Sequence, residues 1–368
     1  EGNRELKESY KSKGILLNPA QHSATDVKEL FSQEIKRPIE RLLKEQKESL
    51  RKYPQMHLLK REEGRLDEVF EEPEVEALPG VWEGIQEAEG NVEGASKVFL
   101  PEGQAGPREP RQILLWGEQG SGKSTLAKWL ALKLHEKGTP AVYVNLAWLK
   151  DVALELEGQG ELTAKRLLVK SITKRWMEKN ENVSEAILNG FIETHFSSGY
   201  GRGHESGDRA WLILDSLEQI ESDAKTEELF ASVLRDIKGW PCNLLFCARS
   251  SSKLEGKLVE LEKEIKLEKK RLVPLKREKV KSLLEKFLDK EQGGRLYGLI
   301  RKDALLLERL RWPINVVLFA AGFGEEDETP SFRKTLEHLI KWAIKDKLTG
   351  SRGGEKEVIW RVIRGLAR

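Results

Sequence analysis

The residues with the clearest chemistry in this 368-residue chain are Gly117-Glu118-Gln119-Gly120-Ser121-Gly122-Lys123-Ser124, which fit the spacing GxxxxGK[ST], with Thr125 directly after. Glycines at these positions let the backbone turn tightly, so that successive N–H groups point inward at phosphate oxygens. Lys123 places a mobile cation beside the β- and γ-phosphates. Ser124 offers a hydroxyl to Mg²⁺, an ion that keeps most of its waters and takes few protein ligands. A helix starting near Lys123 aims the positive end of its dipole at the same phosphates. The chemistry indicated is the grip of a nucleoside triphosphate with its metal.

A metal-bound triphosphate also needs an acid at the end of a second strand. The run WLILDSLEQI (211–220) supplies Asp215 after four apolar residues. Ligands of open α/β sheets bind at the carboxyl ends of strands, and Asp215 is predicted to lie at that edge as the second metal-side residue. Ser216 stands where vigorous ATPases carry a catalytic Glu. Glu218 is therefore the candidate for polarising the attacking water, with Gln219 behind it. A third apolar run, CNLLFCARSSS (242–252), ends in Arg249, which is placed to contact a γ-phosphate and report its loss. The catalytic set expected is thus Lys123, Asp215, Glu218 and Arg249.

These residues need a sheet to hold them. Gln112–Trp116, Ala141–Leu146, Trp211–Leu214 and Asn243–Cys247 read as short, almost wholly apolar strands separated by helical segments. That pattern predicts a parallel sheet covered on both faces. STLAKWLALKLHEKG (124–138) reads as an amphipathic helix closed by Gly138. Residues 1–95 are polar and helical in pattern, an expected N-terminal extension or linker. The nucleotide domain is expected over 96–255 and a helical domain over 256–330, with one β-like run at 270–275. Helical patterns at 331–368 complete the chain.

Composition narrows the function classes. Apolar residues make up 39% of the chain and charged residues 34%, the balance of a globular protein. A net charge of +2 gives no bulk attraction to nucleic acid or membrane, and acids interrupt basic runs such as Lys266–Lys276. Two cysteines form neither a disulfide framework nor a CxxC metal pattern, as expected in a reducing, cytoplasmic setting. His204-Glu205 does not continue as HExxH. No apolar run reaches the roughly 18 residues needed to cross a bilayer.

In this order, the three strand-end segments resemble the STAND class of signal-transducing phosphate-loop ATPases, and within it the NACHT family. Gly117–Thr125 matches the family's phosphate loop, and Leu212–Gln219 its acid strand, with Gln219 replacing a second acid. LLFCARS (244–250) matches its strand ending in Ser/Thr-Arg, with Ala248 in the small polar position. KRLVPLKREKVKSLLEKFL (270–288) resembles the entry to the family's helical domain. LERLRWPINVVLFAAGF (307–323) resembles the helix whose proline, here Pro313, packs near adenine. The last stretch resembles the start of a winged-helix region.

The resemblance implies an AAA+/STAND-like α/β core, ATP/ADP and Mg²⁺ as ligands, and a closed ADP form that opens and self-associates on binding ATP. It also implies that effector and sensor regions lie outside these 368 residues. Two other readings stay open from the sequence: a motor or loader ATPase of the wider AAA+ type, and a scaffold holding ADP permanently. Turnover separates them, and no motif decides between ATP and GTP.

Overall fold

The computed structural model describes residues 43–52, 65–78, 92–100, 109–156, 163–177, 185–197, 209–217, 233–234, 236–249 and 267–323. Four apolar runs form the predicted strands with slightly different ends: β3 (Gln112–Gly117), β4 (Ala141–Asn145), β5 (Trp211–Asp215) and β6 (Asn243–Arg249). They lie parallel in a seven-stranded sheet that also contains β1 (Glu74–Ala77), β2 (Val92–Gly94) and β7 (Glu268–Leu272), in the order β2-β1-β7-β3-β6-β5-β4. β6 is thus inserted between the strand that leads into the phosphate loop and the strand that ends in Asp215.

Alternate residues of each strand feed opposite cores, as the pleat requires. Leu114, Val142, Val144, Leu212, Leu214, Leu244 and Phe246 face one side, under the helices Leu146–Leu156, Ala164–Met177 and Glu185–Ile192. Ile113, Leu115, Tyr143, Ile213, Leu245 and Cys247 face the other, under the phosphate-loop helix Lys123–Glu136. Both faces are covered, which is why the strands read as unbroken apolar runs. Cys242 and Cys247 are both buried and in no disulfide, and burial pushes the Cys242 thiol up to about 12.

Two short strands lie where only a helical extension is expected. β1 (Glu74–Ala77) pairs antiparallel with β2 (Val92–Gly94) on one side and with β7 (Glu268–Leu272) on the other, and β7 runs parallel to β3. The sheet therefore draws strands from before residue 95 and after residue 255. Neither EVEA nor VEG is an apolar run, because both sit at the margin of the sheet with mostly half-buried or exposed side chains. A bidentate pair between Arg111 and Glu268, at 3.1 and 2.9 Å, ties the starts of β3 and β7 together.

The opposite margin is β4. The helix at 43–51 lies against it, with Leu43 packed on one core, Leu50 buried in the other, and the Gln46 amide donating to the carbonyl of Tyr143 at 3.3 Å. This covers part of an edge that would otherwise present unpaired backbone.

Beyond β7 come four helices: Arg277–Phe287, Lys290–Ile300, Ala304–Arg309 and Pro313–Gly322. Their starts are marked by chemistry visible in the sequence. Asp289 accepts from the Gln292 amide, Asp303 accepts from the amides of Leu305 and Leu306, and Pro313 occupies the first turn of the last helix. Gly293 permits a close crossing, since a Cβ there would lie 2.6 Å from Glu285 Cα. Val280, Leu284, Phe287, Leu296, Leu310 and Val316 form this unit's own core, which Val69 joins from the N-terminal side.

Candidate nucleotide site

Gly117 ends β3, Glu118–Gly122 form the loop, and Lys123, Ser124 and Thr125 make the first helical turn. Gly120 and Gly122 take φ of +78° and +99°, a region that residues with a Cβ enter only under strain. Lys123 is buried against its own loop, donating to the carbonyls of Gly117 at 2.6 Å and Glu118 at 2.7 Å. The ammonium is thereby held over the loop among acceptors that phosphate oxygens could replace.

Asp215, 91 positions after Ser124, comes to the same place. Ser124 Oγ donates to Asp215 Oδ1 at 3.1 Å, so the hydroxyl and carboxylate expected to share a metal are in direct contact. Asp215 is only 2% exposed. Its second oxygen accepts from the Tyr143 hydroxyl at 2.7 Å. Burial, with the neighbouring Asp215 carboxylate, pushes the Tyr143 phenol well above its ordinary 10.0, so Tyr143 is the donor. Lys128, one turn beyond Ser124, has its Nζ 5.8 Å from the centre of the Tyr143 ring. Burial lowers the pKa of this ammonium, and Asp215 opposes that shift.

Ser216 follows Asp215 with φ of +66°, the only non-glycine at positive φ among the described residues. A left-handed residue at this point turns the chain sharply off the strand. Arg249 ends β6 in register with Gly117, which places it at the loop's edge of the sheet. Glu218 and Gln219 lie outside the described residues.

The helical unit closes over the loop. Ile314 N–H donates to the Gly120 carbonyl at 3.4 Å, and a Cβ on Gly122 would meet Pro313 Cγ at 3.6 Å. A partly open cleft lies alongside. Ser121, Gly122 and Thr125 form one wall, and Leu275, Leu283, Phe287 and Pro313 a second. The third wall, Leu66, Val69, Phe70, Glu71 and Pro73, comes from the segment expected to be a helical N-terminal extension or linker.

That segment is tied down on both sides. Phe70 stacks on Trp129 of the phosphate-loop helix, with centroids 4.7 Å apart and planes at 14°. Lys286 donates to the Phe70 carbonyl at 2.9 Å, and Ser282 donates to Glu71 at 2.6 Å. The signal that could have revealed it is the helical spacing of Leu66, Val69 and Phe70 before Glu71-Glu72-Pro73, which is too short to stand out.

The donor set fits Mg²⁺ better than a soft metal: one hydroxyl and one carboxylate, with loop amides for the phosphates. Among the described residues, no group of three or more His, Cys, Asp or Glu is placed to hold a metal ion. Among them, too, no helix is long and apolar enough to cross a membrane.

The family comparison agrees with the geometry. The family model described as "NACHT domain" matches residues 111–291. No curated protein matches the chain. Among solved structures, the Aeropyrum pernix ORC2 protein in ADPNP–ADP complexes is similar at 14% identity and TM-score 0.32, over 74% of this chain and 65% of that one. Domain III of the Thermotoga maritima replication initiation protein DnaA is similar at 13% identity and TM-score 0.33, over 64% of this chain and 86% of that one. This chain thus spans just under two thirds of the ORC2 protein, and nothing of either protein's activity is carried over from so loose a match.

Proposed function

We propose, from the premise that residues 111–291 of this chain are a NACHT domain, that the protein is a nucleotide-operated switch. It binds ATP and ADP with Mg²⁺ at the phosphate loop, hydrolyses ATP slowly, and couples the nucleotide state to opening and self-association in a cytoplasmic signalling or defence pathway. The observation that most supports this is the seating of Pro313 and Ile314 on the loop: the helical unit touches the very backbone that would hold the phosphates. A γ-phosphate shifts a closed–open equilibrium only through different contacts in the two states, and a shared surface is where such differences arise.

In this reading Lys123 exchanges the carbonyls of Gly117 and Glu118 for β- and γ-phosphate oxygens. The backbone of Glu118, Gln119, Gly120, Ser121 and Gly122 cradles the phosphates, with Thr125 beside them. Ser124 and Asp215 hold the metal, which neutralises phosphate charge when bound. Arg249 contacts the γ-phosphate from the end of β6, and Glu218 orients the attacking water. Pro313 packs beside the base in the neighbouring cleft. The working division is an N-terminal extension to about residue 95, of which 66–77 and 92–94 join the core, then the nucleotide domain, the helical unit, and the start of a winged-helix region at 331–368.

The test combines turnover with assembly. A switch is expected to hydrolyse ATP about once per minutes and to grow in mass by light scattering when ATP replaces ADP. A motor turns over faster than about 1 s⁻¹. Lys123→Ala should lose triphosphate binding, and Glu218→Gln should hold the assembled form. Fast turnover without any change of mass would replace the switch by a motor, and neither activity would leave a scaffold.

A further inference from the structure

We propose that Tyr143 is a positioning residue for the metal-side carboxylate: its hydroxyl, carried on the edge strand β4, fixes Oδ2 of Asp215 so that Oδ1 stays turned towards Ser124. The inference rests on the reading of Ser124 and Asp215 as the metal-side pair and names a residue which that reading does not contain.

A carboxylate with 2% exposure needs hydrogen-bond donors, or its charge is unsupported. Among the described residues, two neutral side chains donate to Asp215, and they differ in kind. Ser124 carries a small hydroxyl that rotates freely on an exposed residue. Tyr143 is held on every side. Its backbone is paired with Ile213 in β5, and its carbonyl accepts from Gln46. Its ring meets Trp148 edge-on at 6.3 Å with planes at 77°.

The register explains the reach. Tyr143 pairs with Ile213 and Asn145 with Asp215, so Tyr143 and Asp215 are diagonal neighbours on one face. An aromatic side chain spans that separation. The contact at 2.7 Å lies within the range of O–H···O bonds to charged acceptors, at its long end.

A carboxylate at a strand end can otherwise rotate about its last bond. With Oδ2 pinned by an immobile donor, the direction of Oδ1 is set before any metal arrives. Groups that orient metal ligands from behind act in this way. Ser124 can then change partner at no cost to the orientation of Asp215. A tyrosine that merely satisfies its own hydroxyl would need no such link to the metal, and the two cases differ in a measurable quantity.

The experiment is a Mg²⁺ titration of fluorescent ATP binding to the full chain, with fluorescent ADP binding in EDTA as the metal-free reference. Tyr143→Phe is expected to raise the half-saturating Mg²⁺ concentration roughly tenfold, the lower end of what loss of such a partner costs, with metal-free ADP binding unchanged within about twofold. In an Asp215→Asn background, Tyr143→Phe should add nothing further. p-Aminophenylalanine at position 143, which keeps a donor at the ring's far end, should restore the Mg²⁺ dependence. If Tyr143→Phe does not fold, p-aminophenylalanine against p-methylphenylalanine makes the same comparison with that space filled. An unchanged Mg²⁺ dependence for the variants without a donor, while Asp215→Asn shifts it, overturns the role of Tyr143 alone. No shift with Asp215→Asn overturns the metal-side reading, and this inference with it.

Discussion

Substituting Gly120 by alanine loads the contact between the phosphate loop and the helical unit directly. A Cβ at Gly120 would lie 2.3 Å from Ile314 Cγ2 and 3.0 Å from Ile314 Cβ, so Ile314 must move. Two costs arise. The φ of +78° penalises any residue with a Cβ by about 1–2 kcal/mol, whether or not the helical unit is docked. The clash costs about 1–3 kcal/mol more, the usual range for overpacking, and only while Ile314 sits on the loop. The second cost alone acts on the balance between docked and undocked forms. A bias of about 1–3 kcal/mol moves that balance roughly 5- to 150-fold. Release of fluorescent ADP by stopped flow reads the change, and Gly120→Ala should accelerate it within that range.

Ile314→Ala in the same chain removes the obstructing branch and should return most of the acceleration. Gly122→Ala is the comparison: it carries positive φ at +99°, but its Cβ meets Pro313 Cγ at an ordinary 3.6 Å. It should show the strain without the undocking that Ile314→Ala reverses. Equal release rates for Gly120→Ala and Gly120→Ala/Ile314→Ala would refute the argument, since the loop and the helical unit would then not be coupled by this contact.

Three further outcomes follow from single residues. Ser216→Gly should raise the unfolding free energy by about 0.5–1 kcal/mol in urea denaturation, and Ser216→Val should lower it by about 1–2 kcal/mol and weaken Mg²⁺-dependent ATP binding, because φ of +66° suits glycine and opposes a β-branched residue. His135 bonds through Nε2 to Gln46 Oε1 at 3.2 Å, and burial, with Lys47 adding to it, depresses its pKa from 6.5 to about 4. The unfolded chain therefore binds the extra proton first: stability is unaffected above about pH 6.5, falls from there to about pH 4, and is about 2 kcal/mol lower at pH 5 through this residue. His135→Gln should remove that share of the acid loss in urea unfolding at pH 7.5 and 5. Arg111→Ala breaks the bidentate contact to Glu268 and the 2.8 Å bond to the Val98 carbonyl, and should cost about 1–3 kcal/mol by the same measurement.

How legible the molecule was depends on how each residue is buried. β3, β5 and β6 could be read within one or two residues because both faces are covered, leaving Leu114, Leu212 and Leu245 in unbroken apolar runs. Their strand ends then delivered Gly117, Asp215 and Arg249 to one edge. β1 and β2 were illegible because antiparallel strands at a sheet margin bury little, and EVEA carries its acids at half-buried positions. Phe70 and Glu71 escaped notice because their roles depend on Trp129, Ser282 and Lys286, which are distant in sequence. Tyr143 sits in AVYVN, which reads as core strand. Only the β4–β5 register brings its hydroxyl to Asp215. The φ of Ser216 has no sequence signature beyond a small residue after the acid.

The most direct test of the switch is native mass spectrometry of the chain with ADP and then ATP, each with Mg²⁺. One nucleotide per chain is expected, with a monomer in ADP and a larger assembly in ATP, and Lys123→Ala should lose ATP binding and the assembly with it. An unliganded chain in every condition, or an identical mass distribution with both nucleotides, would contradict it.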